Sequence, residues 1–261
     1  MEITSYAPGT PSWVDVGVPD LPAAMAFYGG LFGWEFDVGT EETGGYRQAR
    51  LRGRSVAGFG PQMSPGLPVW ATYIAVADAD AAQATIERAG GTTVVPAMDV
   101  MEFGRMGVYT DTSGTHFSTW EPRAHPGAGL VNEPGTLCWN ELTTRQPDEA
   151  KEFYGTVFGW TFQDNPMPDG STYTELHLDG RAIGGMMPMV GDMWPAEIPN
   201  HWMVYFAVAD TDAACERVRE LGGSVPVPPF DTPAGRIAVV NDTAGTHFSL
   251  IALAPGMGDD A

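Results

Sequence analysis

The chain carries two copies of one sequence pattern, and this duplication constrains its fold more than any other feature. At Trp13 begins the segment WVDVGVPDLPAAMAFYGGLFGWEF, which is matched from Trp139 by WNELTTRQPDEAKEFYGTVFGWTF. The segment WATYIAVADAD at Trp70 returns as WMVYFAVADTD at Trp202, and DTSGTHFS returns later as DTAGTHFS. The copies lie about 130 residues apart, a spacing that indicates a duplicated domain rather than an array of short repeats.

Length and composition agree with two packed domains. The 261 residues fit about two domains of ordinary size. The hydrophobic fraction of 43% is ample for packed cores and argues against disorder. We predict a first domain over residues 10–122, a linker rich in Pro and Gly over 123–135, and a second domain over 136–254.

The charge balance excludes several classes of partner. The formal net charge is −20, from 33 acidic and 13 basic residues. Such a chain offers no basic patch for nucleic acid or for an anionic membrane. The N-terminus lacks the features of a signal peptide, and no apolar run approaches the roughly 20 residues of a membrane span. We expect a cytoplasmic monomer or homodimer whose partner is a small molecule.

Each half divides again into two modules of one strand, one helix and three further strands. In the first module, residues 13–18 alternate as a half-buried strand does, and Asp20 is a helix N-cap residue. Ala24, Phe27, Tyr28 and Leu31 then share one helical face, and Gly33 ends the helix. The second module has the same order, with strands expected at 72–76, 92–95, 104–110 and 115–120 and a helix at 81–89.

This βαβββ order, taken four times, resembles the vicinal oxygen chelate superfamily, also called the glyoxalase/bleomycin-resistance/dioxygenase superfamily. The resemblance rests on VPDLPAAMAFYGGLFGW at 18–34, YIAVADADAAQATIERAGG at 73–91 and GRMGVYTDTSGTHFSTW at 104–120, with their second copies. The layout is most similar to two-domain glyoxalase-like proteins of actinobacteria, some of them called hydroxylases. The resemblance implies an α+β fold of two glyoxalase-like domains with curved mixed sheets. Two modules would form a cup around the ligand, paired within a half or across the halves.

The resemblance also implies where the ligands of a catalytic metal would lie, on the first and last strands of the modules. These positions hold no His, Gln or Glu here. Indole, methyl, thioether and hydroxyl groups are poor ligands for zinc, iron or nickel. We therefore expect no metal and no other cofactor. The positions are Trp13, Ala71 and Ser118 in the first half and Trp139, Met203 and Ser249 in the second.

Strand alternation extends this set, because residues two apart face the same side. It predicts that Asp15, Tyr73 and His116 also line the first cup, and that Glu141, Tyr205 and His247 line the second. In one interpretation His116 with Asp15, and His247 with Glu141, form acid–base pairs with catalytic roles. In a second interpretation these residues bind a ligand without catalysing a reaction. In a third they have only a structural role and fill the interior of the cup.

Two repeated arginines, Arg105 and Arg236, precede the final strands. A guanidinium can bind an acidic or enolate ligand group through two hydrogen bonds, and surface salt bridges are the alternative. We place both arginines among the candidate ligand-binding residues, together with the aromatic, Met and Ser positions named above.

The resulting prediction is a metal-independent protein that binds a small aromatic or carbonyl-rich metabolite in a cup-shaped pocket. An antibiotic or its precursor is one such metabolite. The alternative is a lyase, isomerase or hydroxylase-type enzyme that uses a His–carboxylate pair. A metal-dependent glyoxalase or dioxygenase is a more distant alternative.

Overall fold

The computed structural model describes residues 1–40, 42–63, 65–191 and 194–257. The first half contains β1 (Pro11–Val18), α1 (Leu21–Phe32), β2 (Glu35–Phe36), β3 (Arg47–Leu51), β4 (Arg54–Pro61), β5 (Trp70–Ala75), α2 (Ala79–Arg88), β6 (Thr92–Val100), β7 (Gly104–Thr110) and β8 (His116–Pro122). The second half contains β9 (Leu137–Thr144), α3 (Pro147–Phe158), β10 (Thr161–Pro166), β11 (Thr172–Leu178), β12 (Arg181–Pro188), β13 (His201–Ala207), α4 (Thr211–Glu220), β14 (Ser224–Thr232), β15 (Gly235–Asn241) and β16 (His247–Leu253).

Each half forms its own open eight-stranded mixed sheet, as the α+β prediction requires. The strand order is β2-β3-β4-β1-β5-β8-β7-β6 in the first sheet and β10-β11-β12-β9-β13-β16-β15-β14 in the second. Strands β1 and β5 pair antiparallel, and each pairs parallel with the last strand of its own module. The two modules of a half therefore pair with each other, so each cup is built within one half.

Local sequence sets where the helices begin and end. The side chain of Asp20 accepts a hydrogen bond of 3.0 Å from the backbone N–H of Ala23 and caps α1. Gly33 and Gly159 end α1 and α3 in the left-handed conformation, with φ of 72° and 73°. No helix in the described part of the chain is long and apolar enough to cross a membrane.

The cores lie between the two sheets and mix residues from both halves. Phe27 and Tyr28 of α1 pack against Phe248 of the second sheet, with ring centroids 6.5 and 5.5 Å apart. The reciprocal contact places Phe153 and Tyr154 of α3 against Phe117 of the first sheet. The helices thus pack between the two sheets, on the side of each sheet that we call convex. We call the opposite side of each sheet, which carries Trp13 or Trp139, its concave face or cup.

Candidate functional site

Strand register brings the predicted residues of the first half onto one concave face. Trp13 lies opposite Tyr73, and Asp15 lies opposite Ala71, across the β1–β5 pair. Tyr73 lies beside Ser118 across the β5–β8 pair. Residues directly opposite each other share a face of the sheet, so these side chains form one surface.

A hydrogen-bonded cluster occupies the centre of the first cup. The hydroxyls of Tyr73 and Tyr46 donate to Oδ2 of Asp15, at 3.0 and 3.2 Å. The indole N–H of Trp13 donates to the Tyr46 hydroxyl at 3.1 Å. The second carboxyl oxygen, Oδ1, accepts no hydrogen bond from any described residue. It is the group of this cluster available to a ligand hydroxyl.

The second cup repeats the cluster with a longer carboxylate. Tyr205 donates to Oε1 of Glu141 at 2.9 Å, and the Tyr173 hydroxyl lies near enough to this carboxyl to oppose the rise of its pKa. The indole N–H of Trp139 donates to the Tyr173 hydroxyl at 3.0 Å. One carboxylate, two tyrosines and one tryptophan are therefore held in the same arrangement in both halves.

A glycine in each half makes room for this arrangement. A Cβ atom at Gly58 would lie 1.8 Å from the Tyr46 hydroxyl oxygen, and a Cβ at Gly185 would lie 1.8 Å from that of Tyr173. Each glycine sits beside the carboxylate, because Gly58 pairs with Asp15 and Gly185 with Glu141. Each tyrosine can extend across the neighbouring strand to the carboxylate only because the residue at the crossing point is a glycine.

Burial shifts the proton affinity of both carboxyls. Desolvation raises the pKa of Asp15 and that of Glu141 to about 6, although the tyrosine hydrogen bonds oppose the shift. Burial also raises the pKa of Tyr73 and Tyr205 well above the usual value. The tyrosines are therefore neutral donors near neutral pH, and the carboxylates are mainly ionised acceptors that gain a proton in mild acid.

Tyr46 and Tyr173 are site residues that the sequence analysis did not identify. Tyr46 directly precedes β3 and Tyr173 lies on β11, and the strand sequences RQARL and TYTELHL differ between the halves. The signal that marks them is the tyrosine at equivalent places of the two copies. Their role depends on a contact that crosses the intervening strand at a glycine, which strand alternation alone does not reveal.

The expected histidine–carboxylate pairs are not formed, which corrects the sequence interpretation. His116 is exposed, and register places Ala71 between it and Asp15, so the two residues lie two strand spacings, about 10 Å, apart. In the second cup Met203 separates His247 from Glu141 in the same way. The nearest aromatic partner of His247 is His201, with ring centroids 5.5 Å apart. Tyrosines, not histidines, contact the carboxylates.

Arg105 and Arg236 lie on the helix side of their sheets, which corrects their expected place in the cups. Arg105 donates to both carboxylate oxygens of Asp80 on α2, at 2.6 and 3.0 Å. Arg236 makes the equivalent pair with Asp212 on α4 and a further bond of 3.0 Å to Asp231. Residues two positions apart on a strand point to the same face. The residues two positions after Arg105 on β7 and after Arg236 on β15 face the convex side, so the two arginines do as well.

The linker makes the two cups unequal. The ring of His125 packs edge-on against Trp13 at 4.4 Å, and its backbone oxygen accepts a bond of 2.8 Å from the Trp120 indole. The N–H of Ala128 donates to the Ser12 carbonyl at 2.8 Å, which ties the linker to β1. Trp13 is consequently 3% exposed, whereas Trp139 is partly exposed and has no ring partner among the described residues.

The side chains of the cups do not fit the metal that the fold suggests. Among the described residues, no group of three or more His, Cys, Asp or Glu could hold a metal ion. The carboxyls of Asp15 and Glu141 are already bonded to tyrosine hydroxyls, and that of Glu175 in the second cup is bonded to His177. First-row metals need three or four donors at bonding distance, and this donor set does not supply them.

Comparisons with known proteins agree with this architecture. The family model described as Glyoxalase/Bleomycin resistance protein/Dioxygenase superfamily matches residues 10–119 and 136–250. CFP32 of Mycobacterium tuberculosis, provisionally named a glyoxylase, is 42% identical over 97% of this chain and 98% of its own. The anthracycline biosynthesis protein DnrV of Streptomyces peucetius is 36% identical over 97% of both chains. The Mn(II)-bound glyoxalase from Novosphingobium aromaticivorans shares the fold, with a TM-score of 0.64, 16% identity, and coverage of 97% of this chain and 90% of that one.

Proposed function

The chain belongs to the Glyoxalase/Bleomycin resistance protein/Dioxygenase superfamily, and we propose that it binds a small aromatic or carbonyl-rich metabolite in a cup without a metal. The ligand class follows from the chemistry of the concave faces. A flat aromatic ligand stacks on an indole, and its hydroxyl or carbonyl groups meet the few polar groups nearby.

The observation that carries this proposal is the duplicated carboxylate–tyrosine–tryptophan cluster. Asp15 holds two tyrosine hydroxyls on Oδ2, and its free Oδ1 accepts a hydrogen bond from a ligand hydroxyl. Tyr205 and Tyr173 present the equivalent surface around Glu141. Trp139, which is partly exposed, supplies a stacking face in the second cup.

The relatives support the ligand class. DnrV is named for anthracycline biosynthesis, and anthracyclines are polycyclic aromatic compounds with quinone carbonyls and phenolic hydroxyls. Such a molecule combines the flat ring system and the hydroxyl groups that the cups are suited to bind. An antibiotic of this kind, or a precursor of one, is the ligand type we favour.

Metal independence is part of the proposal. Binding would rest on stacking and on hydrogen bonds to Asp15 or Glu141, which need no Lewis acid. The experiment uses protein treated with a chelator and then dialysed, with 1,4-dihydroxyanthraquinone as the probe. We expect saturable quenching of tryptophan fluorescence that added Mn²⁺, Zn²⁺, Ni²⁺ or Fe²⁺ does not change. Quenching that appears only after a metal is restored would contradict metal independence, and its absence in all samples would contradict the ligand class.

A second candidate function is an acid–base enzyme of the lyase, isomerase or hydroxylase type. It is favoured by one observation, the hydrogen bond of 3.1 Å between His177 and Glu175 on β11. The two functions differ in the fate of the ligand. A binding protein releases the metabolite unchanged, whereas an enzyme converts it, and mass spectrometry of the recovered ligand distinguishes the two.

A further inference from the structure

The second cup contains a histidine–carboxylate pair that the first cup lacks. Nε2 of His177 lies 3.1 Å from Oε2 of Glu175, and both residues are on β11. Their side chains are 18% and 35% exposed. In the first half the equivalent places hold Arg50 and Gln48, which bond to each other at 3.0 Å. The pair is therefore specific to one cup.

Both members of the pair face the concave side. Leu176, between them, is 1% exposed and packs in the core on the opposite face. Successive strand residues point to opposite faces, so Tyr173, Glu175 and His177 share the cup side. Glu175 pairs with Gly185, which in turn pairs with Glu141. Glu175 is thus the same-face neighbour of Tyr173 in the carboxylate–tyrosine cluster, and it lies two strand spacings, about 10 Å, from Glu141.

The hydrogen bond determines which nitrogen of His177 is free. A carboxylate oxygen accepts and does not donate, so Nε2 carries the proton that binds Glu175. Nδ1 then keeps its lone pair, and no described residue contacts it with a hydrogen bond. With Nε2 held by the carboxylate, the lone pair on Nδ1 is the atom of this pair that can accept a proton.

We propose that His177 accepts a proton from a phenolic or enolic hydroxyl of the ligand bound in the second cup. The O–H bond of the ligand breaks, an N–H bond forms at Nδ1, and the ligand is held as a phenolate or enolate beside the imidazolium. No electron is transferred and no further reactant is needed. This inference rests on the proposed function, and it assigns that function to ligands with an ionisable hydroxyl.

The linker explains why the first cup does not compete for the same ligand. His125 covers Trp13 in the first cup, and the neighbouring Arg50 and Gln48 offer no proton acceptor. Trp139 has no such cover among the described residues. Among the described residues, a partly exposed indole and a histidine oriented by a carboxylate therefore occur together only in the second cup.

The test uses the absorption spectrum of bound 1,4-dihydroxyanthraquinone, whose visible band moves to longer wavelength when a hydroxyl ionises. A nearby imidazolium lowers the pKa of such a hydroxyl by about 1–3 units. We expect bound dye to show the ionised band at a pH where free dye is neutral. His177→Gln should remove the band while the dye still binds, and Glu175→Gln should weaken it. The matched control Arg50→Gln should leave the band unchanged.

Four results would overturn the inference, and they are distinguishable. Dye that binds without the ionised band, or a band that survives His177→Gln, contradicts proton acceptance and leaves the proposed function standing. A band that Arg50→Gln removes assigns the effect to the first cup. Dye that fails to bind the wild-type protein contradicts the proposed function and this inference with it. Circular dichroism of each variant shows that loss of the band does not come from unfolding.

Discussion

The hydroxyl of Tyr28 donates a hydrogen bond of 3.2 Å to Oδ2 of Asp242 and so joins the first helix of one half to the last turn of the other. The indole N–H of Trp70 donates to the same hydroxyl at 3.1 Å. The reciprocal contact, from Tyr154 to Asp111 at 3.1 Å, closes the other end of the interface. The tyrosines of the two FY pairs therefore form hydrogen bonds that join the halves. We call each of these tyrosine–aspartate contacts an interlock.

Removal of one interlock is expected to destabilise the whole chain. Tyr28→Phe leaves Oδ2 of the buried Asp242 carboxylate without its tyrosine donor and the Trp70 indole N–H without an acceptor, which costs about 1–3 kcal/mol. Tyr154→Phe should cost a similar amount, and the two losses should add because the sites are distant. Urea unfolding measures both. Variants as stable as the wild type would show that the hydroxyls do not join the halves.

The glycines of the clusters are expected to tolerate no side chain. Gly58→Ala forces Tyr46 away from Asp15 and Trp13 and should lower the free energy of unfolding by about 1–3 kcal/mol. Gly185→Ala should act in the same way on Tyr173. Gly60→Ala is the control on the same strand, since its nearest neighbour is a Tyr46 ring carbon at 3.3 Å. Equal losses for Gly58→Ala and Gly60→Ala would mean that the tyrosine contact is not what requires the glycine.

The buried carboxyls are expected to give stability a particular dependence on pH. Their folded-state pKa of about 6 lies above the ordinary values of 3.8 and 4.5, so the folded chain binds more protons than the unfolded chain between these values. Their contribution to the free energy of unfolding therefore falls as pH rises through this window. In the double variant Asp15→Asn with Glu141→Gln these two side chains cannot ionise. Its free energy of unfolding should therefore rise relative to that of the wild type as pH rises, and the difference should become constant above the folded pKa. Urea titrations across that range measure the difference, and a difference independent of pH would contradict the shifted pKa values.

The linker is expected to control access to the first cup. His125→Ala removes the ring that covers Trp13 and should make this indole accessible to acrylamide, so the quenching constant of tryptophan fluorescence rises. His177→Ala, in the second cup, serves as the matched control and should leave Trp13 protected. If acrylamide quenching is unchanged in His125→Ala, some other part of the chain covers the first cup.

The predictable part of the site is the part that depends on local periodicity. Alternation along β1 and β5 places Trp13, Asp15 and Tyr73 on one face, and the second copy repeats the pattern. The structure confirms the α+β fold and the order of strands and helices for the same reason, because caps such as Asp20 and stops such as Gly33 are local signals. The family-model match over both halves agrees with it.

Which residues contact the carboxylates depends on which strands are neighbours in the sheet and on how far each side chain extends. The periodicity of the sequence specifies neither. His116 shares a face with Asp15, but a whole strand lies between them. Tyr46 lies just before β3, 31 residues along the chain from Asp15, and it reaches this carboxylate only because Gly58 has no side chain. The pair of His177 and Glu175 has no equivalent in the first half, so comparison of the two copies did not reveal it.

The most direct test is a crystal structure of chelator-treated protein grown with 1,4-dihydroxyanthraquinone, because it locates the ligand and any metal in one experiment. We predict density for the dye stacked on Trp139 in the second cup, with a hydroxyl within hydrogen-bond distance of Glu141 or His177 and no metal peak between ligand and protein. Dye found only outside both cups, or held in a cup through a metal ion, would contradict the proposal that this chain binds its ligand by stacking and hydrogen bonds alone.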